Sequence, residues 1–156
     1  MGPLSLVADE SGLRGAWFVG QKYFERGLNG QVIEASNPIL EQTAQLLDAY
    51  FASQDVDFSS LTLADAGTDF QKRVWSYLSQ IPKGKTVTYG QIARDLGVSS
   101  AQAVGGAVGR NPFSVIIPCH RVLGSQGQMT GYAGGLDKKL WLLNHEATEI
   151  DRKKLR

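Results

Sequence analysis

One cysteine and one histidine stand side by side in a short apolar stretch and could perform nucleophilic chemistry. Cys119 is the only cysteine of the 156-residue chain, and His120 is one of its two histidines. A thiol reacts as its thiolate, and a neighbouring imidazole is a common base for forming one. Because free cysteine is often a small buried hydrophobe, the pair alone leaves the structural and the catalytic interpretation about equally open.

A short element must hold this pair in place. Residues 115–117 are Val, Ile and Ile, a β-branched run that predicts a buried strand, and Pro118 would end or bend it. Neighbouring side chains on a strand point to opposite faces, so Cys119 and His120 would not touch if the strand continued. We therefore expect either a turn after Pro118 that brings the two together or a water molecule that bridges them.

The composition limits the classes of protein and site. With 42% hydrophobic and 20% charged residues, it is typical of a globular protein, and the length suits one or two small domains. We find no apolar run long enough to span a bilayer and no signal sequence, so we expect a cytoplasmic protein without a membrane partner. One cysteine excludes an intramolecular disulfide, and with two histidines it is too few for a zinc site, so we predict no metal.

The charges are distributed unevenly along the chain. Residues 1–69 hold three basic and ten acidic side chains, a net charge of −7, whereas the remainder holds thirteen and five, a net charge of +8. A basic half suits a surface that binds phosphates. The excess is modest, however, and a solvated surface whose sign varies along the chain explains it equally well.

The first 67 residues predict a supporting domain. Residues 4–19 have the alternation and turn residues of a β-hairpin, and Ser36, Asn37 and Pro38 are typical of a helix start. Residues 54–67 form a polar connector, which we predict to be the domain boundary. No residue before it suggests chemistry.

Three helix starts are marked after the connector, at residues 68, 88 and 99. Each combines Ser or Thr with Gln three residues later, which predicts a capping box or cap. The second and third helices, separated by Gly97-Val98, give a helix-turn-helix pattern, which is a weak signal by itself. The pairs are Thr68 with Gln71, Thr88 with Gln91, and Ser99 with Gln102.

The third of these helices is unusually slim. It is predicted to run to about Val108, and Gly105 and Gly106 lie inside it at a cost of about 1 kcal/mol each relative to alanine. Close packing against another helix would explain the glycines. The alternative is a helix slim enough for a narrow groove of nucleic acid.

Five segments in the second half of the chain form a combination of motifs: Asn111-Pro112, Pro118-Cys119-His120-Arg121-Val122, Gly131-Tyr132-Ala133-Gly134-Gly135, Trp141-Leu142-Leu143 and His145-Glu146. Together they resemble the O6-alkylguanine-DNA alkyltransferases, the methylated-DNA–protein-cysteine methyltransferases. The resemblance is dense over residues 70–147 and loose before them. It implies an α+β fold with a small N-terminal α/β domain that contains an antiparallel sheet (1–67), and a mostly helical C-terminal domain (68–156) that contains the helix-turn-helix and the Pro-Cys-His-Arg segment.

The resemblance implies DNA repair by direct reversal. The alkyl group of O6-alkylguanine, with O4-alkylthymine as a second candidate substrate, would pass irreversibly and once per protein molecule to Cys119. The lesion would be flipped out of double-stranded DNA bound through its minor groove. No cofactor is implied, because the protein itself accepts the group, and we expect a monomer.

The resemblance also assigns roles to individual residues. Cys119 would be the nucleophile, His120 its base through a water molecule, and Glu146 the carboxylate that orients the histidine. Asn111 would brace the turn beside the site, and Tyr89 would push the 3′ phosphate and donate to the base. Val122, Tyr132, Ala133 and Gly134 would form the base pocket, and Tyr89, Ala101, Gln102, Gly105 and Ser125 would contact DNA. For Arg121 we expect a structural role.

Ordinary explanations exist for several of these residues. Glu146 alone is typical of a surface helix, Asn111 of an Asn-Pro turn, and Tyr89 of a buried helix end. Gln102 stands where the family has an arginine that enters the base stack, so either the glutamine fills the gap less well or another residue does so. Gln102 also suits the cap at Ser99.

Two other classes of function compete with alkyl transfer. Alkyltransferase-like proteins bind lesions on the same scaffold without chemistry, but they lack the cysteine that is present here as Cys119. A cysteine hydrolase does not fit, because transfer to sulfur leaves a thioether that water does not cleave.

Overall fold

The computed structural model describes residues 2–21 and 34–147. Residues 22–33 and 148–156, which belong to the two predicted domains, lie outside this range. Within it, the chain forms two small sheets and five α-helices, which confirms the α+β class.

The hairpin predicted for residues 4–19 is confirmed. Strand β1 (Leu4–Asp9) pairs antiparallel with strand β2 (Gly12–Phe18). Gly12 has a φ of +137°, and a Cβ on it would lie 2.5 Å from the carbonyl oxygen of Thr62. The turn therefore requires glycine, both for its backbone angle and for the close approach of the connector.

The outer edge of β2 binds two later segments of the chain. Leu13 exchanges two backbone hydrogen bonds with residues 62–64, and Ala16 exchanges two with residues 112–114, all at 2.8 Å. These bonds satisfy an edge that would otherwise expose unpaired backbone groups. They also fix the hairpin against the segment that leads to Cys119.

The first two helices begin at the predicted residues. Helix α1 (Pro38–Phe51) is capped by the side chain of Asn37, and helix α2 (Asp69–Ser79) by the reciprocal capping box of Thr68 and Gln71. Each cap satisfies backbone N–H groups that the helix cannot, and a cap of this kind is worth about 1 kcal/mol.

Helices α3 (Tyr89–Leu96) and α4 (Ala101–Gly109) form the predicted helix-turn-helix. Gly97 ends α3 in the left-handed conformation, with a φ of +69°, which glycine adopts without strain. The indole N–H of Trp75, on α2, donates to the carbonyl oxygen of Ala107 at 2.8 Å and holds α4 against α2.

The cap of α4 lies one residue later than predicted. Ser100, not Ser99, accepts the backbone N–H of Ala103 at 3.0 Å. A capping box would need glutamine three residues after the cap, and alanine occupies that position. Gln102 is exposed, and the capping role predicted for it is wrong.

The strand predicted for residues 115–117 is also wrong. These residues form a buried turn in which Val115 has a φ of +71° and Ile117 N donates to Phe113 O at 2.9 Å. A β-branched run indicates burial as much as extension, and here only the burial is realised. A positive φ is rare for valine, so tertiary contacts must hold the turn.

The chain after Pro118 turns at once. A single 3-10 turn (Cys119–Arg121) leads into strand β4 (Val122–Leu123), which pairs in parallel with strand β3 (Val87–Thr88). The last described helix, α5 (Leu136–Glu146), carries Glu146 at its end. The expected turn after Pro118 is therefore present, but it does not join the two side chains, because His120 Nδ1 makes no hydrogen bond within the described residues.

One buried cluster joins the two predicted domains, so the boundary at residue 67 stays a prediction. The cluster includes Leu13, Phe18, Leu47, Val74, Leu78, Ile92, Val104, Phe113, Ile116, Cys119 and Leu142.

No helix in the described part of the chain is long and apolar enough to cross a membrane.

Candidate active site

Asn111 ties together both ends of the turn that precedes the cysteine. Its Nδ2 donates to Phe113 O at 3.2 Å and to Ile117 O at 2.9 Å, while its Oδ1 accepts from Phe113 N at 2.9 Å. Three hydrogen bonds from one buried amide offset the unfavourable φ of Val115. The position of Cys119 therefore depends on Asn111.

The thiol of Cys119 is almost completely buried, with 7% of the residue exposed. Burial raises the pKa of Cys119, while a hydrogen bond from Asn111 and the positive charge of Lys139 act in the opposite direction. Because burial dominates, the resting group is a neutral thiol. Its reaction as a nucleophile requires a base.

His120, the next residue in the chain, is the candidate for that base. Its Nε2 lies 2.6 Å from Oε2 of Glu146, and both side chains are buried. An ionised carboxylate only accepts, so Nε2 carries the proton and Nδ1 keeps its lone pair. Nδ1 is buried and makes no hydrogen bond within the described residues. Burial lowers the pKa of His120 against the opposing effect of Glu146, so the neutral ring predominates.

Glu146 is the centre of a buried network. Arg121 donates to both carboxylate oxygens at 2.8 Å, from Nε and Nη2, and the hydroxyl of Tyr50 donates to Oε2 at 2.6 Å. Burial alone would raise the pKa of Glu146, but the hydrogen bonds of His120 and Arg121 hold it well below its usual range. The carboxylate is thus ionised at neutral pH.

Arg121 also joins this network to a distant loop. Its Nη1 donates to the carbonyl oxygen of Ile81, just after α2, at 2.7 Å. A bidentate arginine fixes both the distance and the plane of its partner carboxylate. Arg121 therefore holds Glu146 and the loop at Ile81 in one arrangement.

A cavity of about 340 Å³ opens beside Cys119, between α4 and residues 131–133. This volume is within the range of small-molecule pockets. Its mixed lining of glycine backbone, aromatic rings and polar side chains suits a flat ring with polar edges. Six of the predicted site residues line it: Tyr89, Gly105, Asn111, Cys119, Tyr132 and Ala133.

Other predicted residues lie outside this lining. Val122 is fully buried in β4, and a Cβ on Gly134 would lie 2.8 Å from the ring of Phe18, so that glycine allows close packing. The side chains of Ala101, Gln102 and Ser125 are exposed, the first two at the start of α4.

The glycines of α4 are not required by packing. A Cβ on Gly105 would lie 3.8 Å from the ring of Tyr89, and one on Gly106 would lie 3.5 Å from Arg110 Nη1. Both distances are ordinary contacts, so alanine would fit in the protein itself. Because these glycines have no side chains, nothing projects from them into the cavity, and the exposed face of α4 stays slim.

The sequence did not point to two residues of this site. Tyr50 lies on the apolar face of α1. The only hint in the sequence was that a tyrosine on such a face is buried, and a buried tyrosine needs a hydrogen-bond partner for its hydroxyl. Lys139 is fully buried, and its Nζ donates to the carbonyl oxygens of Thr130 and Gly131 at 2.8 and 3.1 Å. Burial lowers the pKa of Lys139 to about 8.

The loop before the cavity wall is held from two sides. The hydroxyl of Tyr89 donates to the carbonyl oxygen of Thr130 at 3.3 Å, and Lys139 donates to the same oxygen. This loop carries Tyr132 and Ala133, so both donors help to shape the cavity.

Within residues 2–21 and 34–147, no group of three or more His, Cys, Asp or Glu side chains could hold a metal ion.

Two family models match the chain. The "6-O-methylguanine DNA methyltransferase, ribonuclease-like domain" covers residues 1–64, and the "6-O-methylguanine DNA methyltransferase, DNA binding domain" covers residues 69–148.

Relatives and solved structures cover almost the whole chain. A methylated-DNA–protein-cysteine methyltransferase of Methanosarcina acetivorans is 43% identical, over 95% of this chain and 94% of its own. One of Mycobacterium leprae is also 43% identical, over 96% and 89%. The crystal structure of Mycobacterium tuberculosis OGT in complex with DNA is 37% identical and has a TM-score of 0.79, covering 98% of this chain and 88% of that one.

Proposed function

Because the chain belongs to the O6-methylguanine DNA methyltransferase family, which repairs DNA by transferring an alkyl group to a cysteine, we propose that Cys119 is the acceptor. The observation that carries the proposal is the cavity beside Cys119, followed in the chain by His120, whose Nε2 is held by Glu146. The chain is a methylated-DNA–protein-cysteine methyltransferase that binds DNA.

The proposed substrate is O6-alkylguanine in double-stranded DNA, with O4-alkylthymine as a second candidate. The O6 atom lies within the duplex, so the nucleotide must be flipped out to reach a thiol at the bottom of a cavity. Tyr132 and Ala133 would contact the flipped base, and Val122 would support the cavity from behind. Backbone groups near Gly134 would bind the polar edge of guanine.

The proposed reaction is a single displacement. His120 Nδ1 takes the thiol proton through a bridging water, and the sulfur attacks the alkyl carbon as its bond to O6 breaks. The electron pair passes to guanine, which takes up one proton, with Tyr89 donating to the base. The products are guanine and a thioether on Cys119. Because water does not cleave a thioether, each molecule reacts once.

The slim face of α4 would enter the minor groove. Ala101 and Gly105 carry little side-chain volume there, and Ser125 lies on an exposed loop that would contact the DNA backbone. The glycines support this mode, since packing within the protein does not require them. We further propose that the protein acts as a monomer, in the cytoplasm, and without a cofactor.

Intact-mass spectrometry after exposure to O6-methylguanine DNA tests this function. Transfer predicts a gain of one methylene group on the peptide that contains Cys119, reaching a plateau at one per protein molecule. Tight binding with an unchanged mass would instead identify a lesion-binding module. Several turnovers per molecule would contradict the single-use reaction.

Replacing Tyr89 should separate base flipping from chemistry. Tyr89→Ala is expected to slow repair of duplex DNA at least about tenfold more than reaction with free O6-benzylguanine, since only the duplex pays the unstacking energy of a few kcal/mol. Single-turnover rates on both substrates measure this ratio. Tyr77→Ala, which removes a tyrosine of α2 bonded to Asp95, is the control. Equal slowing of both substrates would show that Tyr89 acts only through the pocket or the fold and does not assist base flipping.

Substitutions at Gln102 test which side chain fills the gap that the flipped-out nucleotide leaves in the base stack. We expect Gln102→Arg to tighten binding to lesion duplex and to speed its repair by about tenfold, because a guanidinium stacks on bases and attracts phosphates. The free-base rate should not change. Gln80→Arg adds the same charge at the end of α2 and serves as the control. If Gln102→Ala leaves duplex repair unchanged, another residue fills the stack, and the exposed Arg110 at the cavity is the next to replace.

A further inference from the structure

We infer that Tyr50 is a positioning residue of the active site, which acts through Glu146 to keep His120 a neutral base. The inference rests on the function proposed above. Tyr50 lies on α1, in the part of the chain for which the sequence predicted only support. Its hydroxyl nevertheless reaches a carboxylate 96 residues later in the chain.

Tyr50 and His120 share one oxygen atom. The hydroxyl of Tyr50 donates to Glu146 Oε2 at 2.6 Å, and His120 Nε2 lies 2.6 Å from the same atom, which Arg121 Nη2 also contacts at 2.8 Å. Each donor reduces the negative charge that the oxygen offers to the others. Tyr50 thereby limits how strongly Glu146 stabilises a protonated His120.

The packing of the Tyr50 ring fixes its hydroxyl. The residue is 2% exposed, and its ring contacts those of Phe51 and Phe58, with centroids 5.1 and 6.2 Å away. The ring of His145 lies 5.3 Å away, and its Nε2 donates to the backbone carbonyl of Tyr50 at 2.7 Å. A donor held on this rigid support is preorganised for one acceptor.

The direction of the effect follows from the charges around His120. Burial lowers the pKa of His120, Glu146 raises it, and Arg121 and Lys139 lower it again. Removing the Tyr50 hydroxyl strengthens the one contribution that raises this pKa. More of the histidine is then protonated just below neutral pH, where Nδ1 can no longer accept the thiol proton. The substitution does not alter the other ionisable side chains near His120, Glu146 and Tyr50, which are Lys83, Cys119, Tyr132 and His145.

Tyr50→Phe removes only the oxygen and retains the ring. The pH dependence of single-turnover reaction with free O6-benzylguanine should show its acid limb moved to higher pH by about half to one unit, because a hydrogen bond to a charged group is a strong one. Tyr77→Phe is the matched control, since it removes a tyrosine–carboxylate bond between α2 and α3, away from the site. Its profile should match that of the unaltered protein.

A second measurement does not depend on alkyl transfer. The chain contains two histidines, so NMR titration can follow the ring of His120 directly, with His145→Gln assigning the signals. The pKa of His120 should be higher in Tyr50→Phe. In a Glu146→Gln background, Tyr50→Phe should have no further effect. This titration reports on Tyr50 even if the mass measurement shows that the proposed function fails.

Replacing Tyr50 by 3-fluorotyrosine provides a variant that keeps the hydroxyl. The fluorinated phenol is a stronger donor, so the acid limb and the His120 pKa should both move to lower pH. Shifts in opposite directions for the two replacements support the inference. An unmoved His120 titration in both replacements, with only the melting temperature or the overall rate changed, would show that Tyr50 is merely structural and would overturn it.

Discussion

Cys119→Ser is expected to abolish alkyl transfer while leaving binding to lesion DNA within about twofold of the unaltered protein. The chain has no second thiol, and a serine hydroxyl is a far weaker nucleophile than a thiolate at neutral pH. The oxygen occupies nearly the same buried space, so the cavity and α4 should keep their shape. Intact mass and gel-shift titration with O6-methylguanine duplex measure the two properties.

The matched control is Cys119→Ala, which should behave in the same way because it also lacks a nucleophile. Methyl transfer to either variant would disprove the assignment of Cys119. Loss of lesion binding in both would show that the thiol itself contributes to recognition.

Glu146→Ala should be the most destabilising single change in this site. The carboxylate accepts two hydrogen bonds from Arg121, whose side chain is 11% exposed, and removing it leaves a largely buried cation without its partner. Breaking a buried ion pair in this way costs about 3–5 kcal/mol. Denaturant unfolding at neutral pH measures the loss.

The same change should slow transfer by at least about a hundredfold, because His120 loses the acceptor that fixes its tautomer. Duplex and free-base substrates should be affected alike. Glu41→Ala, an exposed carboxylate at the start of α1, is the control and should stay within about 0.5 kcal/mol of the unaltered protein. Unchanged unfolding of Glu146→Ala would mean that Arg121 does not depend on this carboxylate.

Local features of the fold could be predicted because their causes are local. Asn37 and Thr68 cap their helices through hydrogen bonds that span three residues, so neighbouring letters suffice to place α1 and α2. The Ser11-Gly12 turn and the alternation around it likewise marked the hairpin. Even so, the cap of α4 was predicted one residue too early, at Ser99, because the adjacent Ser100 suits the position equally well.

The turn before Cys119 shows where local reasoning fails. Val115, Ile116 and Ile117 favour a strand on propensity, yet Asn111 binds the backbone at both ends of the turn, and β2 binds residues 112–114. These contacts outweigh a preference of at most about 1 kcal/mol. Val115 is consequently held at a φ that its own side chain disfavours.

The sequence by itself determined the family and the helix-turn-helix, and it singled out Cys119 as the candidate nucleophile, because these depend on residue identity and short spacing. Only the tertiary structure decided which side chains surround Glu146 and Cys119. Tyr50 and Lys139 lie 89 residues apart in the chain, and no spacing predicts that α1 and α5 place them at one site. Burial then decides their effect, since a hydroxyl or a cation alters a neighbour's pKa strongly only where water is excluded.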